Sequence, residues 1–396
     1  MKRILCVNDE TRTLEHWRRM LLERERNWEV RLATSNADAL SVLQSWPPDA
    51  VVAASHPPIA DGLGLLTHVR DQRPETIRII VGDVVQNENS LRALKVVHRA
   101  LPNEPDGELL VETLRRTLLM RDYVAQPQLR ALIGQVGQLP AVPSVYAELT
   151  RRLNDPSVSV FELGELVAED TALTVQVLRL ANSAYFGRGQ VVTRISDAAA
   201  RLGTRLLRSL VLTAEVYGHL PVSPALAGRI EDLQRHASLV ARIASSLDPR
   251  ASWKDDAFTA GLVHDIGKLL MLSRLPELSA RIAQEAADSF RLEHEVEVEQ
   301  LGAHHGALGA CLLGMWGLPS SVIEAVHGHH DLALDIPHSL NAPRAVAIAD
   351  RLAHAATDDE EMKMRAEPLP MTIVTDPRWA WWREMAEQIA NEGSVV

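Results

Sequence analysis

The segment 261-GLVHDIGKLL-270 sets His264 beside Asp265 and places Lys268 three residues further on, inside an otherwise apolar run. Imidazole nitrogens and carboxylate oxygens both ligate metals, and a polar group buried among aliphatic side chains is costly unless something pairs with it. Four other stretches carry donors of the same two kinds. In 231-EDLQRHASLVARIA-244, Asp232 and His236 stand at i and i+4 and so share one face of a helix. His305 is followed by Gly309 and Ala310, small residues that let a helix come close to its neighbours. His329 and His330 are adjacent in 326-VHGHHD-331, and Asp350 sits in the apolar helix 346-VAIADRLAH-354.

The run GLVHDIGK resembles the signature of the HD superfamily of metal-dependent phosphohydrolases, whose defining element is a His-Asp doublet on one helix. Under that resemblance the metal ligands are Asp232, His236, His264, Asp265, His305, His329, His330 and Asp350. These are more donors than one six-coordinate ion can use, so two or three divalent ions per chain are implied. A mixed nitrogen and oxygen set suits iron, manganese, zinc or nickel better than magnesium alone. The alternative for histidine in general is core packing or helix capping, and His98, His219, His294 and His338 are read that way.

The elements that position these residues follow from composition and periodicity. A chain of 396 residues, 46% hydrophobic and 4% aromatic, has the length of two or three soluble domains. No apolar run approaches the roughly 18 residues of a membrane span, and MKRILCVNDE reads as a buried strand, so the expected location is cytoplasmic. Cys6 and Cys311 lie in apolar contexts and read as core residues, which leaves histidine and carboxylate for metal chemistry. The net charge of -11 argues against broad nucleic-acid or anionic-membrane binding, and Arg201, Arg205 and Arg208 read as a solvated helix face.

Over residues 1–120 short aliphatic runs (RILCV, EVRLA, DAVVAA, IRIIV) alternate with amphipathic stretches, the pattern of parallel βα units. From about Tyr123 the periodicity is helical throughout. The expected architecture is multidomain: a flavodoxin-like α/β domain over 1–120, an all-α HD-type domain over 121–335 and a helical extension over 336–396. A helix through 109–128 is the expected linker, and Trp379, Trp381 and Trp382 are expected to cap a core.

The front segment resembles the receiver domain of bacterial response regulators on VNDE and DAVVAASHPPIADG. Aligning Pro58 and Gly62 with the family's proline and glycine puts Ala54 at the phosphoacceptor position. The family's acidic pair is reduced to Asn8 and Asp9, its hydroxyl position falls at Val81 or Gly82, and Asn103 stands where its lysine would be. Asp49 and Asp61 are expected to flank the site. Phosphoryl transfer needs a nucleophilic carboxylate and a neutralising cation, and both are missing here. The resemblance therefore implies a pseudo-receiver used for dimerisation or for docking a signalling protein.

Residues 139–187 and 196–212 resemble the HDOD output domain on LPAVP, DTALTVQVLRLANSAYFG and SDAAARLGTRLLRSLVL, and the resemblance covers about 125–335. HDOD domains follow receivers in bacterial signalling proteins, and most have lost their metal ligands. This chain keeps them, and the ligand set with Lys268 is similar to that of HD-GYP phosphodiesterases, which hydrolyse cyclic di-GMP. No GYP-type element follows His330. Two functions follow as alternatives: a metal-dependent phosphohydrolase acting on a cyclic dinucleotide or another phosphodiester, or an inactive scaffold that works through protein contact. In the first, Asp265 bridges two ions and Lys268 binds a nonbridging oxygen or the leaving group. In the second, Lys268 is a side chain snorkelling at a helix end.

Overall fold

The computed structural model of the chain describes residues 1–55, 61–82, 93, 96–103, 105, 107–135, 149, 152, 158–182, 191–203, 207, 224–331, 340–356 and 371–393. The chain divides into two compact units. The first comprises Met1–Gln138, Arg179–Val191 and Cys311–Gly317, and the second Leu139–Leu178, Val192–Ala310 and Leu318–Val396. The expected break at 120 falls within a helix, and 336–396 belongs to the second unit with no break of its own.

In the first unit, strands β1 (Lys2–Val7), β2 (Trp28–Ala33), β3 (Ala50–Ala54), β4 (Ile77–Val81) and β5 (Arg99–Leu101) form a parallel sheet in the order β2-β1-β3-β4-β5. Helices α1 (Thr11–Arg24), α2 (Asn36–Ser45), α3 (Gly62–Gln72) and α4 (Gly107–Asp122) alternate with them, and α5 (Pro127–Gly134) follows. Every residue of β3 and β4 is buried, as strands covered on both faces must be. Arg78 in β4 is tolerated because its guanidinium donates to the carbonyls of Val96 and Gly134 at 2.6 Å and of Pro74 and Thr76 at 2.9 Å.

This strand order reverses direction between β1 and β3, the crevice where doubly wound sheets bind ligands at the carboxyl ends of the strands. Among the described residues, the expected acceptor, hydroxyl and lysine positions carry no phosphoacceptor chemistry. Ala54 ends β3 and is buried, as is Val81 at the end of β4, and Asn103 is exposed. Asn8 is buried, with its Oδ1 accepting from Glu10 N at 2.8 Å. Pro58 lies outside the described residues. Asp61 is occupied as the N-cap of α3, its Oδ1 accepting from Gly64 N at 2.8 Å. The expectation for Asp49 is corrected. It precedes β3, five residues and about 16 Å of extended chain from Ala54, where it accepts from Arg3 N at 2.8 Å and pairs with Arg121 at 2.9 Å.

The second unit holds α6 (Val160–Ala168), most of α7 (Thr171–Ala181), α8 (Pro224–Ser246), α9 (Lys254–Val263), α10 (Ile266–Arg274), α11 (Pro276–Ser289), α12 (Glu293–Leu301), part of α13 (His305–Trp316), α14 (Ser320–Gly328), α15 (Ala342–Ala356), α16 (Met371–Val374) and α17 (Trp379–Gly393). Ser159 and Glu162 close a capping box at the start of α6, and buried Asp170 starts α7 by accepting from Leu173 N at 2.8 Å. Helix α8 packs on α9 and α15, and α14 packs on α15. Trp382 caps this core as expected, buried with its indole donating to Leu247 O at 3.1 Å, whereas Trp381 is exposed. Burial pushes the Cys6 and Cys311 thiols up to about 12, which suits inert core residues. No helix among the described residues is long and apolar enough to cross a membrane.

Candidate metal centre

His264 and Asp265 do not lie within one helix. Helix α9 ends at Val263 and α10 begins at Ile266, so the doublet forms the junction, with His264 as C-cap of one and Asp265 as N-cap of the other. A junction can turn both side chains inward, and both are buried. Two glycines allow the neighbours to close on it. A Cβ on Gly261 would come within 2.6 Å of Ala241 Cα in α8, and one on Gly267 within 1.9 Å of the His305 carbonyl oxygen.

The close approach at Gly267 brings His305 onto Asp265, with Nε2 3.1 Å from Oδ1. His329 and His330, at the C-terminal end of α14, complete the group: His305 Nε2 is 3.2 Å from His329 Nε2 and 2.8 Å from His330 Nε2. Asp350, one face of α15, lies 2.9 Å from His236 Nε2 and 3.6 Å from His264 Nε2. Seven of the eight expected ligands are thus gathered in one buried cluster.

Asp232 is the exception. Its side chain is 62% exposed and its carboxylate is taken by Arg235 at 2.6 Å. The i, i+4 spacing correctly puts Asp232 and His236 on one side of α8, but one turn of helix carries Asp232 out to the rim while His236 is buried.

The cluster is prepared for cations in three ways. First, the outer ring nitrogens are fixed. His264 Nδ1 donates to Gly261 O at 2.8 Å, His329 Nδ1 to Val326 O at 2.7 Å, and His305 Nδ1 to the Glu297 carboxylate at 2.7 Å. With Nδ1 committed to these acceptors, each Nε2 faces the interior, the orientation that outer partners impose on metal-bound histidine. Second, a buried nitrogen goes unsatisfied: among the described residues His264 Nε2 has no hydrogen-bond partner, a costly state for a group this deep. Third, donors held about 2.0–2.1 Å from one ion stand about 3 Å from each other, and the nitrogen pairs at 2.8 and 3.2 Å match that spacing. The residues fit divalent metal.

Residues 139–332 match the HDOD domain family. The C-terminal part of this chain carries an HDOD domain. An uncharacterized protein of Treponema pallidum (strain Nichols) is 26% identical over 234 residues, which is 57% of this chain and 44% of that protein. A protein-glutamate methylesterase/protein-glutamine glutaminase 3 of Rhodospirillum rubrum is 25% identical over 173 residues, 41% of this chain and 46% of that protein. The matches therefore span less than half the length of these two relatives. Among solved structures, the MmoQ response regulator of Methylococcus capsulatus str. Bath shares 19% identity, covering 65% of this chain and 98% of that one, with a TM-score of 0.47.

Charges around the HDOD cluster favour a cation. Burial would raise the Asp265 carboxyl, but Lys268 and His264 outweigh it and hold it well below the usual carboxylate range. Burial would likewise raise Asp350, and His354 and His236 reverse that. For His305 burial lowers the imidazolium, yet the Glu297 carboxylate outweighs this and lifts it to about 9. A nitrogen that draws in a proton at neutral pH marks where positive charge is wanted. Lys268 reaches Asp265 Oδ2 at 2.9 Å and is held charged by Asp265 and Glu293 against the effect of its burial.

His236, Asp265, His305, His330 and Asp350 of the cluster line a cleft of about 990 Å³ in the HDOD unit, together with Lys268, Arg229, Arg242, Phe290, Arg291 and His294. Three contributors were not among the expected ligands. Glu297 carried no sequence signal, being one of four glutamates on α12. His354 follows Asp350 at i+4, a signal as clear as the one at Asp232 and His236. His294, expected in a core or cap, stacks on His330 with ring centroids 4.1 Å apart. His98 is the core histidine expected, buried and accepting from Arg78 N at 3.0 Å. His219, His338, Arg205 and Arg208 lie outside the described residues.

Proposed function

We propose that the HDOD unit is a metal-dependent phosphohydrolase, phosphodiesterase-like, in a signalling protein whose receiver-like unit works by partner contact without phosphorylation. The observation that carries this reading is the convergence of His236, His264, Asp265, His305, His329, His330 and Asp350 in one cluster, five of whose members, His236, Asp265, His305, His330 and Asp350, line a cleft. Packing histidines have no need of an opening to solvent. His236, His264, Asp265, His305, His329, His330 and Asp350 would hold two or three divalent ions of iron, manganese, zinc or nickel. Such ions supply Lewis acidity toward phosphate oxygens and a water ionised near neutral pH.

The protein's own groups have separate tasks. Glu297 and the Gly261 and Val326 carbonyls hold three imidazoles in the ligating tautomer. Lys268, charged and at the cleft wall, binds a nonbridging phosphoryl oxygen where negative charge gathers in the transition state. Asp265 lies between Lys268 and the histidines and orients both. The substrate class is a phosphodiester, with cyclic di-GMP the first to assay. A cytoplasmic location and a homodimer formed through the receiver-like unit belong to the same reading.

The test is turnover. Purified full-length protein loaded with manganese or iron(II) should hydrolyse cyclic di-GMP or bis(p-nitrophenyl) phosphate, and chelation or Asp265→Asn should abolish this. A fully metallated sample that turns over neither these nor other cyclic dinucleotides would leave the second reading, a regulatory scaffold braced by metal, which the HDOD match over 139–332 favours.

A further inference from the structure

Asp350 stands between two imidazoles. Its Oδ1 lies 2.9 Å from His236 Nε2 and 3.5 Å from His354 Nε2, and the two rings face each other with centroids 4.4 Å apart. Each of the three side chains offers a donor atom within 4.8 Å of the other two. His354 is one turn beyond Asp350 on α15, which brings both to the same face. All three line the cleft, so a position between them opens to solvent on one side.

Hydrogen bonding alone does not account for this group. His236 makes a well-formed contact to Asp350, but His354 Nε2 at 3.5 Å is beyond a good hydrogen bond. The Nδ1 atoms of both histidines are buried without a partner among the described residues. Two imidazole nitrogens and one carboxylate oxygen, with open positions beside them, form a donor set that iron(II), manganese and zinc all accept. Asp232, one turn before His236, cannot contribute while Arg235 holds it at the rim.

We infer that His236, Asp350 and His354 hold a divalent cation of their own, distinct from the ions at Asp265, His305, His329 and His330, with His354 in the ligand role that sequence gives to Asp232. The inference rests on the metal-binding part of the proposed function and adds to it a third ion position and its ligands. The open side of that position faces the cleft, so the ion is placed to meet a phosphoryl oxygen of the substrate.

The experiment is metal counting on full-length protein stripped and reloaded with cobalt(II), by elemental analysis and by the visible spectrum of the bound cobalt. His354→Gln should lose one equivalent of metal relative to wild type and lose part of the cobalt absorption, while Asp232→Asn should keep the wild-type count and spectrum. A His354→Gln protein with the full count and an unchanged spectrum overturns the inference and leaves the proposed function standing. An Asp232→Asn protein that loses the equivalent overturns it equally. A wild type that takes up no metal overturns both. Should His354→Gln fail to fold by circular dichroism, anomalous scattering from wild-type crystals decides: a peak within bonding distance of His236, Asp350 and His354 supports the site, and its absence in metal-loaded crystals rules it out.

Discussion

Glu297 Oε2 accepts two hydrogen bonds from His305, one from the backbone N and one from the ring Nδ1, each 2.7 Å long. A single buried carboxylate thereby fixes the position of the α13 N-terminus, the orientation of the imidazole and the tautomer that turns Nε2 inward. Burial alone would raise this carboxyl, but His305 keeps it ionised. The proposed metal centre depends on this outer contact as much as on any ligand.

Glu297→Gln keeps the shape and removes the charge. Outer partners of ligating histidines are commonly worth about 10–100-fold in metal affinity. The variant should release metal to a competing chelator at about that much lower chelator concentration, with the fold intact by circular dichroism. Unchanged competition curves would show that the Glu297 contact does no more than hold α12 to α13.

Residues that share ions should be energetically coupled. Removing one leaves the others as unpaired buried donors, so most of the damage is done at the first substitution. His264→Ala and His330→Ala should each lower bound metal and melting temperature, and the double variant should cost less than the sum by more than about 0.5 kcal/mol, the usual scatter of additive pairs. Strict additivity with full metal content in the single variants would reduce the cluster to packing.

The legibility of this protein in its sequence was uneven for physical reasons. Strand period and burial read correctly in β1, β3 and β4 because apolar runs covered on both faces leave a one-dimensional mark. The clustered donors were legible as residue types, yet Asp232 lies at the rim and His354 beside Asp350, because i, i+4 spacing gives a shared face without saying which turn is buried. The doublet was expected inside a helix and proved to be a junction. Nothing in GLVHDIGK breaks a helix; the turn at Asp265, with φ -94° and ψ 15°, is set by tertiary packing around Gly267. Glu297 was invisible because its partner comes from the next helix.

The receiver-like unit should resist phosphorylation. Ala54 occupies the acceptor position, Asp61 is committed to capping α3, and Asp49 is held by Arg121 at the other end of β3. Incubation with acetyl phosphate and magnesium should leave the intact mass unchanged. Ala54→Asp should not restore switching, because exposed Asn103 offers no cation to the phosphoryl group. A stoichiometric phosphoaspartate within residues 1–120 of the wild type would refute the alignment on which these statements rest.

His98 gives the first unit a pH dependence with a definite sign. Its Nδ1 accepts from Arg78 N at 3.0 Å, a bond that protonation at that nitrogen would destroy, and burial followed by the charge of Arg78 holds the imidazole well below its ordinary value of 6.5. Above that value the group is neutral in both folded and unfolded chains, so its contribution to stability is fully present. As pH falls below it the unfolded chain takes up a proton that the folded chain refuses, and stability is lost at up to about 1.4 kcal/mol per pH unit. His329, His330 and His354 in the second unit, also held below the ordinary value by burial, add losses of their own, so the slope is compared between proteins. His98→Asn, which can still accept from Arg78 N, should lower stability at pH 7 but lose less of it between pH 7 and 5 than wild type does, by about 1–2 kcal/mol in urea melts. Parallel slopes in the two proteins would show that His98 is protonated in the folded state and that the Arg78 contact does not enforce its neutrality.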